Sequence, residues 1–184
     1  MKNIAQPVDL TYLFLDFDGV LHPMFPGRSH KTWEHDPFCY LDEFEGAVRK
    51  IPGQVRIVIS STWRRGRTLE QLRVPFSADI APLVVGATPM IGSGMGEGGR
   101  AREVMDWLDT HAPGARAVAI DDMPQLYLSQ ETKSIAMVCC PDRFGPQQAR
   151  DLVQACQNPE AWATNNPVIP QEGKIIIPSS HFRT

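Results

Sequence analysis

Four cysteines occur in 184 residues, and no two of them form a C-x-x-C pair. That scarcity argues against a zinc ribbon or a disulfide framework, and Cys39, Cys139, Cys140 and Cys156 are expected as reduced, buried thiols. His22, His30 and His35 do not have the helical spacing of a zinc site. No apolar run approaches the roughly 20 residues of a membrane helix. The opening decapeptide, MKNIAQPVDL, has one lysine and no sustained apolar stretch. No secretory signal is therefore expected, and a cytoplasmic location is. Net charge is only −3, so the global basic signature of extensive duplex binding is absent. Recognition of one terminal phosphate needs no such signature. The glycine-rich stretch 91–99 (IGSGMGEGG) lacks the G-K-[ST] ending of a P-loop and reads as an active-site flap or a plain loop. Repeats and low-complexity tracts are absent.

What is present has ordinary amounts and an informative order. Hydrophobic residues make up 42% of the chain and charged residues 21%. A length of 184 residues suits one domain with a real core. Apolar strand-like runs lie at 11–16, 55–60, 82–86, 116–121 and 134–140. Helical patterns lie between and after them, at 41–50, 68–73, 102–110 and 146–157. Strands that are uniformly apolar and alternate with helices predict a parallel sheet covered on both faces. Residues 22–40, rich in proline, histidine and aromatics, read as an irregular loop. The last stretch, 165–184, reads as a tail in which Ile175–Ile177 is an edge strand or a docking segment.

In such a sheet ligands bind beyond the carboxyl ends of the strands, so those ends are the places to inspect. The first strand runs into Asp16-Phe17-Asp18-Gly19. An i, i+2 spacing on extended backbone sends both carboxylates to one side, and Gly19 allows an immediate turn. Two adjacent acids repel, and a divalent cation or a phosphate arriving with its metal relieves them. The second strand ends in Ser60-Ser61-Thr62-Trp63-Arg64-Arg65, hydroxyls and charge suited to phosphate oxygens. The strand at 116–121 ends in Asp121-Asp122, a second acidic pair at the same sheet edge. Each feature alone is also an ordinary strand exit. The three together, each directly after an apolar strand, are hard to produce by accident.

With these motifs over roughly residues 11–150, the chain resembles the haloacid dehalogenase-like (HAD) hydrolases. Among them the forms LDFDGVLHP and SSTWR resemble small bacterial domains, including those of RNA repair proteins. The resemblance implies an α/β, three-layer Rossmann-like parallel sheet without a full cap domain. It implies a phosphatase in which Asp16 is the nucleophile, forming an aspartyl-phosphate. Asp18 is then the general acid that protonates the leaving oxygen and the base that activates water. Ser60, or alternatively Ser61, donates to a phosphoryl oxygen. Mg²⁺ is implied at Asp16, the backbone carbonyl of Asp18, Asp121 and Asp122. The family's usual lysine before the third motif helix is missing. Arg100 is the favoured replacement, with Arg102 and Arg64 as alternatives, and arginine is not a neutral exchange for lysine.

Substrate class depends on what covers the site. The segment 22–54 serves as a minimal lid at most, and 65–105 holds no obvious module. An open site of that kind accepts a phosphorylated small molecule or a nucleic-acid end. Gly19, Ser61 and Arg64 are expected at the substrate. Trp63 either packs between helix and sheet or borders the phosphate. His22, His30, Trp33, His35 and Phe38 either pack their loop or stack on a base. A second function class stays open, a catalytically weak HAD-like binding or regulatory domain. The sequence leaves the oligomeric state open.

Overall fold

The computed structural model describes residues 10–25, 36–91, 98–128 and 135–166. Five parallel strands form one sheet in the order β3-β2-β1-β4-β5. The strands are β1 (Leu10–Leu15), β2 (Gln54–Ile59), β3 (Val84–Ala87), β4 (Arg116–Asp121) and β5 (Ala136–Cys139). The helices are α1 (Leu41–Val48), α2 (Leu69–Arg73), α3 (Gly99–His111), α4 (Pro146–Gln157) and α5 (Pro159–Asn165). β1 is central. The chain builds outward from it to β3, then crosses to β4 on its other side. The direction in which strands are added therefore reverses between β1 and β4, the position where an open α/β sheet forms its crevice.

The strands read as continuous apolar runs because both faces are covered. Leu13 and Leu15 point into a core shared with Phe44 of α1, Leu72 of α2 and Leu152 of α4. Phe14 points the opposite way, against Ala101, Val104 and Trp107 of α3. Alternation along one strand thus feeds two cores. The segment 22–54 is not all lid. α1 lies inside it, and Phe44 packs edge-on against Phe144 at 5.4 Å. Among the described residues, neither the β1–β2 nor the β2–β3 connection holds a folded cap.

Three differences from the sequence expectations have local causes. α3 begins at Gly99 rather than 102, because Gly98 at φ 66° turns the chain and Arg102 N–H already bonds Gly98 O at 3.1 Å. α5 was not expected. Asn158 caps it by accepting from Ala161 N–H, Pro159 opens it, and Trp162 docks it by donating to Met137 O at 2.8 Å. The cysteines are all free, but only Cys140 and Cys156 are buried; Cys139, at the end of β5, is exposed and Cys39 half-buried. No helix of the described residues is long and apolar enough to cross a membrane. The 92–97 part of the glycine-rich stretch, His30, Trp33, His35 and Ile175–Ile177 lie outside the described residues.

Candidate active site

Backbone ladders continue past the strand ends and fix the site residues. Asp16 N–H donates to Ile120 O at 3.0 Å, and Ser60 N–H to Leu15 O at 2.9 Å. Beyond Asp16 the chain turns at once: the N–H groups of Val20 and Leu21 both reach Phe17 O, and Gly19 stands at φ 74°. Ser61 caps a 3₁₀ turn, Thr62–Arg64, by accepting from Trp63 N–H. Asp121 closes β4, and its carboxylate accepts from Met123 N–H at 2.8 Å and from Tyr127 O–H at 3.3 Å.

Asp16, Asp121 and Asp122 converge so that one carboxylate oxygen of each lies within 4.8 Å of the others. Arg100, in the first turn of α3, brings Nη2 to 3.8 Å from Asp16 Oδ1. Arg102 is exposed. Ser60 is fully buried beside this group, and its Oγ makes no hydrogen bond. Asp16 Oδ1, Asp122 Oδ1, and Arg100 Nε and Nη1 are likewise buried without a hydrogen-bond partner. So many unpaired polar atoms facing one another are costly unless something arrives to satisfy them.

The electrostatics agree with that picture. Burial raises the Asp16 carboxyl, while Arg100 and the Ser61 hydroxyl oppose the rise. Burial and then Asp16 push Asp121 well above the carboxylate range. Asp122 is pushed up to about 7 by burial and by Asp16. Burial works against the Arg100 charge, but Asp16 and Asp121 more than restore it. Three carboxylates that hinder one another's ionisation suit a hard divalent cation such as Mg²⁺, which takes oxygen ligands. The donor set therefore fits the metal that the sequence implies.

Asp18 stands beside this trio rather than in it. Its side chain is 26% exposed and held by two rings. Trp63 Nε1 donates to both carboxylate oxygens, at 3.0 and 3.1 Å, and His22 Nε2 lies 3.0 Å from Oδ1. Sequence reasoning missed this use of both rings. Aromatic residues near a strand end fit packing equally well, and only the fold brings position 63 to position 18.

Arg64 is corrected. Its guanidinium turns inward and makes five hydrogen bonds: to the carbonyls of Ser60, Ser61, Thr88 and Pro89 and to Glu103 Oε2, the last at 2.5 Å. It has no donor left to reach a substrate phosphate, and it ties the exits of β2 and β3 to α3. Glu103, wholly buried, was also missed. Its position three residues after Arg100 on one helix is the signal that would have found it.

Residues 12–145 match the family described as the HAD domain in Swiss Army Knife RNA repair proteins. No curated protein and no solved structure matches the chain significantly.

Proposed function

The chain belongs to that family of HAD domains, and from this premise we propose that it is a Mg²⁺-dependent phosphohydrolase working through an aspartyl-phosphate. The observation that carries the proposal is the trio of the buried Asp16 and Asp121 with the half-buried Asp122, set against the Arg100 guanidinium at Asp16. Asp16 attacks phosphorus, and the ester oxygen departs with its electron pair and a proton from Asp18. Asp18, now ionised, takes a proton from water as that water attacks the phosphoryl group. Inorganic phosphate leaves and Asp16 is regenerated. The Ser60 hydroxyl, the backbone at Gly19 and Ser61, and Arg100 hold the phosphoryl oxygens. Arg100 takes the place of the family lysine with a forked donor set. Asp16, Asp121, Asp122 and the backbone carbonyl of Asp18 would hold Mg²⁺, which when bound neutralises charge between nucleophile and phosphate.

A nucleic-acid end is the favoured substrate over a small metabolite. Support comes from the RNA repair proteins that carry domains of this family. It also comes from Arg67, an exposed cation that stacks over Trp63 at 4.7 Å, the ring that holds Asp18. Release of phosphate from p-nitrophenyl phosphate, with Mg²⁺ and with EDTA, tests the chemistry. Metal-dependent release that Asp16→Asn abolishes is the expected result. No release above that variant, together with no binding of Mg²⁺ plus beryllofluoride, favours the binding-domain alternative. Comparing 5′- and 3′-phosphorylated oligonucleotides with small phosphate esters then tests the substrate class.

A further inference from the structure

The Asp18 carboxylate is gripped more firmly than a partly exposed acid at the mouth of a site needs to be. Trp63 Nε1 sits 3.0 and 3.1 Å from its two oxygens, close to the bisector of the carboxylate. His22, only 1% exposed, approaches Oδ1 at 3.0 Å. We propose that Trp63 and His22 are positioning residues that orient Asp18 for proton transfer to the leaving group. The inference rests on the proposed role of Asp18 as general acid.

The indole cannot swing away. Ser61 Oγ holds its backbone N–H, and Arg67 Nη1 holds its carbonyl at 2.8 Å. The rings of Phe17, Phe38 and His22 meet it edge-on or tilted at 5.9, 5.2 and 5.4 Å. Arg67 covers it at 4.7 Å. Phe38 reaches this cluster from a backbone at φ 63°, a left-handed conformation that strains a bulky residue. Strain kept beside a candidate site is what a packed ring cage with a task would show. Packing alone asks only for a large apolar ring. It does not ask for a ring nitrogen aimed at a carboxylate from another strand end. An indole N–H can only donate, so Trp63 cannot relay the proton; it acts on Asp18 by holding its carboxyl group in place. General acid catalysis depends on that placement before anything else.

The test separates positioning from folding by leaving group. Wild type, Trp63→Phe and Asp18→Asn are assayed with Mg²⁺ on β-glycerophosphate, whose alkoxide needs a proton to leave, and on 2,4-dinitrophenyl phosphate, whose phenolate does not. The readout is kcat/KM, which ends at departure of the first leaving group. Trp63→Phe is expected to lose roughly tenfold or more on the alkyl ester relative to its loss on the aryl ester, in the direction of Asp18→Asn. Equal losses on both esters, or none on either, overturn the positioning role. Should Trp63→Phe fail to fold, His22→Gln and His22→Leu supply the same comparison. Gln keeps a donor near the ring Nε2 and is expected to retain more alkyl-ester turnover than Leu; equal values overturn the role. A wild-type protein that is inert toward both esters and toward 5′- and 3′-phosphorylated oligonucleotides, and that binds no Mg²⁺ plus beryllofluoride, instead overturns the phosphohydrolase proposal, and the positioning role with it.

Discussion

Asp122 Oδ2 occupies the space in which a side chain on Gly19 would begin, since a Cβ there would lie only 2.3 Å from it. Gly19 also holds φ 74°. Gly19→Ala therefore carries two costs, about 1–2 kcal/mol of left-handed backbone and displacement of an acid from the trio. It is expected to lower the melting temperature and weaken Mg²⁺ binding at least roughly tenfold. Gly66→Ala is the control. Gly66 has a similar φ of 67°, but nothing stands where its Cβ would be. It should show the stability loss alone, with Mg²⁺ affinity by calorimetry unchanged.

Arg64 and Glu103 are side chains at 4% and 0% exposure, paired at 2.5 Å. Removing one partner strands the other charge in the interior. Glu103→Ala is expected to cost about 3–5 kcal/mol in denaturant unfolding. Glu103→Gln should cost less, since an amide still accepts from Arg64. Equal stability of wild type and Glu103→Ala would mean that Arg64 escapes to solvent.

Asp16→Asn should move activity and stability in opposite directions. Burial raises the Asp16 carboxyl, so its ionised form works against the fold. An amide removes that opposition and eases Asp121 and Asp122. Turnover should vanish while the melting temperature in EDTA at pH 8 rises. A fall in melting temperature would mean that the loss of the Arg100 contact outweighs the relief.

The same shifts set a pH dependence for the metal-free protein. A carboxyl whose pKa is higher folded than unfolded binds more protons in the fold. Its contribution is then full at low pH and lost as pH rises through the folded value. Asp122, pushed up to about 7, places that loss between the ordinary carboxylate range and neutrality, and Asp121 shifts the same way. On the proposed function Mg²⁺ would bind the ionised trio, so it should raise the melting temperature by roughly 5 °C or more at pH 8 and hardly at all at pH 5. Thermal scans at both pH values, with Mg²⁺ and with EDTA, read this directly.

Arg100 and Arg102 lie two positions apart in α3, one buried against Asp16 and the other exposed. Arg100→Ala is expected to lower kcat at least roughly 100-fold, the scale of losing one charged donor at a developing anion. Arg102→Ala should leave kcat and KM unchanged. Comparable losses in both variants would remove Arg100 from the phosphate site.

The sheet and its acidic edge were legible because each strand is buried on both faces. Leu13-Phe14-Leu15 and Ile57-Val58-Ile59 therefore read as unbroken apolar runs, and the residues next in the chain after each run fall at the crevice. The local pattern could not tell that Arg64 turns inward. An arginine after Ser60-Ser61 looks the same whether it meets a phosphate or Glu103, and that choice is made by α3 from far along the chain. Trp63 and His22 were hidden for the same reason. Their partner, Asp18, is met only through the turn at Gly19 and the 3₁₀ turn after Ser61. The start of α3 was misplaced because glycine propensity argues against helix at Gly99, whereas Gly98 turns the chain in time and Arg100 and Ala101 are drawn into the interior.

The central place of β1 in the strand order has a consequence for how the molecule comes into being. Of the strands of this sheet β1 is synthesised before the others, yet one of its two neighbours, β4, follows only after β2 and β3. Until Arg116–Asp121 arrives, one edge of Leu10–Leu15 is an unpaired, strongly apolar template. Non-local pairing of this kind is slow, and a chain halted before β4 carries one of the three clustered acids on an open edge. Fragments ending between β3 and β4 are therefore the ones to expect in aggregates. The acidic cluster itself is assembled in a single late step, when the last two carboxylates close against the first.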